Sequence, residues 1–198
     1  MPTWSVWNST GLIPRWFKAK ASIMVVVSRP GFEDPVEILN TCHEKVRHFA
    51  SLTIRLRDYL QKVGVDATAT EAATRIRRYF NVAAVLHHED EELDLFPALM
   101  ALQKGRISPS VKASLAHSIQ SLAREHETLG EAWGQIDRWL ESVEQGQLAP
   151  EPACVDLFAH AYTRHADREE NEVYPFATYL DQQDKERIGL NMVKRRQA

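Results

Sequence analysis

The sequence lacks the features that mark several classes of protein. Only two cysteines occur, Cys42 and Cys154, and their lack of paired spacing argues against a disulfide scaffold. No run of about 18 apolar residues exists, so the sequence predicts no membrane-spanning helix. The formal net charge of −3 favours neither a nucleic-acid-binding protein nor a membrane-surface protein. Strand-like alternation of apolar and polar residues is absent over any useful length.

The N-terminal part of the chain does not read as a signal for export. An apolar stretch at residues 23–27 follows several basic residues, but it is too short for a signal peptide. Arg29-Pro30 follows where small residues should lead to a cleavage site. Together with the sparse cysteines, this predicts a protein of the reducing cytoplasm.

The chain divides into three segments of different composition. Residues 1–33, rich in tryptophan and proline, show no regular periodicity. They are predicted to be an irregular or disordered leader, a docking arm, or residues ahead of a start at Met24. Residues 34–180 are predicted to form one helical bundle, and residues 181–198 a short helix with a tail. The basic cluster at 194–196 is interpreted as a solvated chain end.

Caps and apolar periodicity predict four long helices in the central segment. Their predicted limits are Asp34-Pro35 to Gly64, a capping box at 68–71 to about Pro97, Ser108-Pro109 to just before Gly146, and about Pro152 to beyond Pro175. A short fifth helix is expected at about 185–195, on the outside. Because the connections are short, consecutive helices should be antiparallel neighbours. The predicted fold is therefore an all-α, up-down-up-down four-helix bundle.

One eleven-residue pattern occurs twice, 78 positions apart: His-x-x-x-Glu-Glu-x-x-aliphatic-aromatic-Pro. The copies comprise His87, Glu91, Glu92, Leu95, Phe96 and Pro97, and then His165, Glu169, Glu170, Val173, Tyr174 and Pro175. On a helix, positions i and i+4 share one face, so each copy presents an imidazole beside a carboxylate. Mixed nitrogen and oxygen donors suit a transition metal of intermediate softness, with iron the first candidate. Two such pairs indicate a site for two metal ions.

A shorter pattern, Leu-x-x-x-His-Glu-x-aliphatic, precedes each copy and places His43 and His126 on the first and third helices. Both histidines occupy positions on apolar stripes where a leucine would otherwise lie. Buried glutamates without a cation would cost several kcal/mol each, which favours a metal site over a metal-free polar core. A metal-free core held by Glu–His hydrogen bonds remains the alternative.

The other four histidines lie off these inward faces. A rotation of about 100° per residue turns His48, His117 and His160 toward solvent. His88 is intermediate, at the flank of the site or between its helix and a neighbour.

These motifs resemble the hemerythrin-like, or HHE cation-binding, family, over roughly residues 34–180. The resemblance implies a bundle that holds two non-haem iron ions (Fe²⁺ or Fe³⁺). The implied bridging carboxylates are Glu91 and Glu169, and the implied terminal ligands are His43, His87, His126 and His165. Glu92 and Glu170 would be outer or surface groups. Oxygen-carrying hemerythrins place the last carboxylate five residues after the histidine, so Glu170 stays an alternative to Glu169.

The sequence departs from this family at one ligand. Oxygen-carrying hemerythrins have a second histidine on the third helix, at the position that Leu122 occupies here. One iron therefore lacks a nitrogen donor unless His88 or Glu92 replaces it. This leaves open whether O₂ would be carried reversibly or whether the site reacts with O₂, peroxide or nitric oxide.

Three functions follow from the resemblance. The favoured one is a non-catalytic protein whose di-iron site binds or senses O₂, nitric oxide, or the redox or iron state. The second is a di-iron enzyme acting on peroxide or nitric oxide, for which no dedicated proton donor stands out beyond Tyr162 and the outer glutamates. The third is a regulatory module in which metal controls docking to another protein. No nucleic-acid or membrane partner is expected, and the sequence points to no particular protein partner.

Overall fold

The structure, a computed structural model, describes residues 34–103 and 105–197. Most of these residues are helical. The predicted leader at residues 1–33 lies outside the described residues. The α-helices are α1 (Pro35–Val63), α2 (Ala67–Arg78), α3 (Ala84–Asp90), α4 (Phe96–Met100), α5 (Pro109–Glu144), α6 (Val155–Glu172) and α7 (Gln182–Arg195).

The first helix begins and ends where its sequence signals predict. The Asp34 carboxylate accepts hydrogen bonds from the backbone amides of Val36, at 3.1 Å, and Glu37, at 3.3 Å. Pro35 occupies the first turn, where its missing N–H removes no helical hydrogen bond. Gly64 ends the helix with a φ of 88°, a left-handed conformation that glycine adopts without a steric penalty.

The predicted second helix is continuous from Ala67 to Met100, but two π-helical turns divide it into α2, α3 and α4. The turns are Tyr79–Ala83 and Glu91–Leu95. The predicted start at the 68–71 capping box is wrong by a few residues. The helix is capped by Asp66, whose carboxylate accepts from the Ala69 amide at 2.9 Å and from the Tyr59 hydroxyl at 2.7 Å. Competition from this upstream carboxylate explains the displacement, since Asp is a stronger N-cap than Thr.

Replacing Asp66 with alanine should lower the free energy of unfolding by about 1 kcal/mol, because α2 loses its N-cap. Asp66→Asn is the matched control, since its side-chain oxygen still accepts from the Ala69 amide. Urea denaturation of both variants measures the difference. Equal stability of the two variants would contradict this assignment of the cap.

The third and fourth predicted helices correspond to α5 and α6. Ser108 caps α5 through its hydroxyl, which accepts from the Val111 amide at 3.2 Å, and α5 ends before Gly146 as predicted. The prediction that the fourth helix passes Pro175 is wrong. The α-helix ends at Glu172, and a 3₁₀ turn, Tyr174–Tyr179, follows it. Pro175 favours an end here because its ring disfavours the α conformation of the residue before it, although the chain stays helical through Phe96 and Pro97 in the first copy of the motif.

The long helices pack in a ring, with α1 against α2 and α6, and α5 against α2 and α6. Their inner faces form two apolar clusters, one on each side of a polar layer. Along each long helical segment, an apolar residue from one cluster comes before the histidines and glutamates of the polar layer. An apolar residue from the other cluster comes after them. The flanking pairs are Leu39 and Val46, Ala84 and Leu95, Leu122 and Leu129, and Tyr162 and Val173. Within the described residues, no helix has the length and apolar character needed to cross a membrane.

Candidate metal centre

The polar layer consists of histidines and glutamates from all four long helical segments. In the first group, ligand atoms of His43, His87, Glu91 and Glu169 lie within 4.8 Å of one another, and all four residues are buried. A second group with the same spacing comprises His88, His126 and His165. The structure therefore brings together all six residues that the sequence proposed as principal ligands. Each of the two groups could hold a metal ion.

Glu169 lies at the centre of the layer. Its Oε2 is 3.0 Å from Nε2 of His43, and its Oε1 is 3.1 Å from Nε2 of His165 and 3.4 Å from Nε2 of His126. The carboxylate thus faces imidazoles from three helices. Glu170 points outward instead, and its half-buried carboxylate accepts hydrogen bonds from Arg47.

Glu91 faces Glu169 from the second helical segment. Its Oε2 lies 3.7 Å from Nε2 of His87 and 3.6 Å from Nε2 of His126. Burial, together with the neighbouring Glu169 carboxylate, holds the pKa of Glu91 well above its usual range. Two ionised carboxylates would repel each other in this buried layer, so Glu91 keeps a proton in the absence of a cation. A bound cation would relieve both the repulsion and the cost of burial.

The imidazoles respond to the same burial in different ways. Burial lowers the pKa of His87 well below its usual value, and the neighbouring His43 lowers it further. His87 is therefore neutral, which is the form that binds a metal ion. Burial also opposes charge on His126, but Glu169 and Glu92 outweigh it and raise the pKa of His126 to about 9. A metal ion must displace that proton in order to bind.

Outer carboxylates orient three of the histidines. Nδ1 of His43 is 2.9 Å from Glu170, Nδ1 of His126 is 2.6 Å from Glu92, and Nδ1 of His165 is 3.0 Å from Glu125. An ionised carboxylate can only accept a hydrogen bond, so Nδ1 is the donor in each pair. Each ring consequently turns Nε2 toward the two central carboxylates. Carboxylate–histidine pairs of this kind commonly orient metal-binding histidines.

Several buried atoms of the layer have no hydrogen-bond partner among the described residues. They are both ring nitrogens of His87, Nε2 of His126, Nε2 of His165, Oε2 of Glu91 and Oε1 of Glu169. Buried polar atoms are almost always paired, so a group of orphaned atoms in one layer needs an explanation. All of them are nitrogen or oxygen atoms of residue types that bind transition metals. The residues present therefore fit a metal centre.

Tyr174 adds a phenol to the layer. Its hydroxyl donates to Oε1 of Glu91 at 2.5 Å, and its ring stacks on His43 with centroids 5.3 Å apart. Oε1 of Glu91 therefore has a hydrogen-bond partner, whereas Oε2 has none among the described residues. Tyr174 belongs to the repeated motif, but the sequence offered no reason to assign it to the site rather than to the core.

His88 lies at the flank of the layer, as its helical position predicts. Its ring stacks on His126, with centroids 3.8 Å apart and planes 12° apart, and its Nε2 is 2.8 Å from the Tyr162 hydroxyl. Imidazole lone pairs lie in the ring plane, so two nearly parallel stacked rings cannot point at one ion. His88 would have to rotate to share an ion with His126. His48, His117 and His160 are exposed, as predicted.

Glu125 is a further residue that sequence reasoning missed. It precedes His126 on α5 but reaches across to His165, and it also accepts a hydrogen bond from Arg168. Its position in the sequence gave little indication of this role, because the contact between Glu125 and His165 forms only when α5 packs against α6. Arg168 in turn also binds Glu172, one turn along α6.

The C-terminal helix α7 contacts the helical segment that carries His87 and Glu91. Arg195 and Arg196 both donate to the buried carboxylate of Asp90, and Arg195 also donates to Asp94 at 2.7 Å. The interpretation of these arginines as a solvated chain end is therefore wrong. Two buried carboxylates on the adjacent segment attract them, and nothing in the local sequence of the tail reveals that pairing. The helix itself begins at Gln182, slightly earlier than predicted.

Comparison with known proteins agrees with this arrangement. Residues 34–177 match the sequence model of a family described as the hemerythrin HHE cation binding domain. The chain is also 33% identical over 168 residues to an uncharacterized protein of Haemophilus influenzae strain Rd, covering 84% of this chain and 92% of that protein. The matched region contains every residue of the polar layer described above.

Proposed function

Because the chain belongs to the hemerythrin HHE cation-binding domain family, we propose that it is a non-haem di-iron protein that binds or senses O₂, nitric oxide, or the redox or iron state. The polar layer is able to hold metal ions, and the choice of iron and of two ions is part of the proposal. The up-down-up-down antiparallel order is also proposed, supported by the packing of consecutive helices against each other. A cytoplasmic location is proposed on the lack of paired cysteine spacing.

The donors divide between two positions. His43 and His87 would hold one ion, His126 and His165 the other, and the carboxylates of Glu91 and Glu169 lie between them. Iron, when bound, supplies a redox-active centre that can accept a small ligand at a position without a protein donor. Leu122 stands where oxygen-carrying relatives have a further histidine, so the position beside His126 has fewer protein nitrogens.

The chain's own residues prepare this centre in three ways. The outer carboxylates of Glu170, Glu92 and Glu125 hold Nδ1 of three imidazoles and so orient their Nε2 atoms. The Tyr174 hydroxyl holds the Glu91 carboxylate in one orientation. The apolar clusters above and below keep bulk water from the layer, which strengthens electrostatic attraction for a cation.

The observation that carries the proposal is the group of orphaned nitrogen and oxygen atoms in one buried layer. In a metal-free core, Glu–His hydrogen bonds would have to satisfy these atoms, and the contacts of Oε1 of Glu169 with His165 and His126 leave them without a well-formed hydrogen bond. A pair of cations would satisfy them together and neutralise the two carboxylates.

Metal content and the visible spectrum of protein purified in air test this proposal. We expect iron in about a two-to-one ratio to the chain, together with visible absorption that changes when nitric oxide is added to the reduced protein. Rapid turnover of added peroxide would instead favour the enzymatic alternative. An iron-dependent change of size or partner binding would favour the regulatory one. A folded protein that takes up no iron from a ferrous salt would overturn the assignment.

Replacing His126 with leucine should remove at least one ion and leave the bundle folded. Leucine suits the apolar stripe of α5, and the change removes a buried imidazole from the layer. His117→Leu is the matched control, because it makes the same change at an exposed position on the same helix. Metal analysis and circular dichroism of both variants give the result. Full iron content in the His126 variant would disprove this ligand set.

A further inference from the structure

A small apolar pocket lies beside the metal centre, between the second helical segment, α5 and α6. Its volume is about 60 Å³, and its apolar walls are Phe80, Ala84, Val85, Leu129, Gly130 and Trp133. Val85 and Gly130 are exposed, whereas Phe80 and Leu129 are buried. The pocket therefore opens to solvent near Val85 and Gly130 and extends inward from there.

The inner end of the pocket meets the metal centre through one imidazole. His88 and Tyr162 form that end and are joined by the 2.8 Å contact between Nε2 and the hydroxyl. The ring of His88 is also stacked on His126, and the His165 ring lies 6.1 Å away, measured between centroids. A molecule in the pocket is consequently separated from the His126 side of the centre by a single ring.

The lining favours an uncharged and apolar occupant. The two polar groups at the inner end already bond to each other, and the Trp133 indole donates to Asn81 at 2.7 Å. Water in a cavity needs two or more polar partners, which these groups do not offer freely. Small apolar cavities stay dry and take up apolar atoms such as xenon. The volume is several times the roughly 10–15 Å³ that a single water molecule needs by the same measure, so the pocket admits a molecule of a few heavy atoms.

We propose that this pocket admits and holds a small uncharged molecule, of the size of O₂ or nitric oxide, beside the ion bound by His126 and His165. The inference rests on the proposed di-iron function for its physiological meaning. It adds a binding site and a direction of approach that the ligand set alone does not contain. The pocket lies on the Leu129 side of the polar layer, opposite to the side of Leu122.

Gly130→Leu tests the pocket directly. A Cβ atom added at Gly130 would meet no atom within 4 Å, so the first carbon of a leucine side chain fits there, and the rest of the side chain is expected to cover the opening. Loss of a glycine from a helix interior also favours the helix, so the variant should fold. Gly134→Leu is the matched control: it lies one turn farther along α5, and Gly134 does not line the pocket.

Two measurements are made on each protein. Xenon NMR, which needs no iron, should show saturable binding to the wild type and to Gly134→Leu, and a loss of that binding in Gly130→Leu. Stopped-flow mixing of the reduced, iron-loaded proteins with nitric oxide should show an association rate constant lowered by about tenfold in Gly130→Leu alone. The final absorbance change should be the same in all three, because the variant alters access and not the ligands.

The outcomes separate this inference from the proposed function. If Gly130→Leu binds xenon and nitric oxide as the wild type does, the pocket has no such role, although the di-iron proposal stands. If xenon binding is lost but the nitric oxide rate is unchanged, the pocket is not the route, and the inference fails. If no iron is bound, the proposed function fails, while xenon still reports whether the pocket takes a small apolar molecule.

Discussion

Replacing Glu169 with alanine is expected to abolish binding of both metal ions. Its carboxylate faces His43, His126 and His165 at 3.0–3.4 Å, so it is shared by the donors of both proposed positions. Burial alone would raise the pKa of Glu169, but the three imidazoles hold it well below its usual value. The group is therefore an anion, and its loss removes the charge on which both cations depend. Metal analysis after equilibration with ferrous salt measures the effect.

Glu170→Ala makes the same substitution one residue later and serves as the control. Glu170 touches the centre only through Nδ1 of His43 and is otherwise bound to Arg47. Loss of such an outer partner typically weakens metal affinity by about 10–100-fold without eliminating the site. Both ions should thus be retained when metal is in excess. The reverse result, metal lost with Glu170→Ala and kept with Glu169→Ala, would show that the carboxylate five residues after His165 is the bridge.

Replacing Arg195 with alanine should lower the free energy of unfolding by about 3 kcal/mol, which corresponds to a fall in Tm of roughly 6–12 °C. The Arg195 guanidinium binds both Asp90 and Asp94, which are 0% and 4% exposed, and is itself only 16% exposed. Without it, Asp94 keeps the Asn191 amide and Asp90 keeps Arg196, so part of the buried charge is no longer compensated. Thermal unfolding followed by circular dichroism measures the change.

Lys194→Ala is the natural comparison for this variant. It removes one positive charge from the adjacent, exposed position of α7, and the Lys194 side chain is not among the partners of Asp90 or Asp94. Its Tm should stay close to that of the wild type. Equal effects of the two substitutions would mean that net charge, rather than the buried ion pairs, connects α7 to the bundle.

The helical periodicity of the sequence was enough to predict the faces that form the metal centre. On α5, the spacing of Leu122, His126 and Leu129 predicted one inward stripe, and all three side chains are buried. The same logic placed His117 in solvent. This works because a long helix with one apolar face has a single favourable orientation against the core. The repeat of the His-x-x-x-Glu-Glu motif then indicated two equivalent contributions to one site.

Features that depend on contacts between distant residues could not be predicted in this way. Glu125 and the arginines of α7 find their partners only across helices, and no local pattern identifies those partners. The fourth helix was predicted to pass Pro175, whereas α6 ends at Glu172. In the first copy, a π turn carries the chain into Pro97 and α4, whereas in the second the chain changes to a 3₁₀ turn.

The two π turns flank the segment Ala84–Asp90, and each accommodates one more residue than an α-helical turn would. Deleting one residue at an exposed position within either turn, such as Val82 or Leu93, would restore regular winding without removing a buried side chain. The part of the helix after the deleted residue would then be rotated by about 100° about the helix axis, relative to the part before it. A deletion in the first turn would swing His87 and Glu91 away from their partners. In this part of the chain, the number of residues consequently matters as much as their identity for placing His87 and Glu91 in the layer.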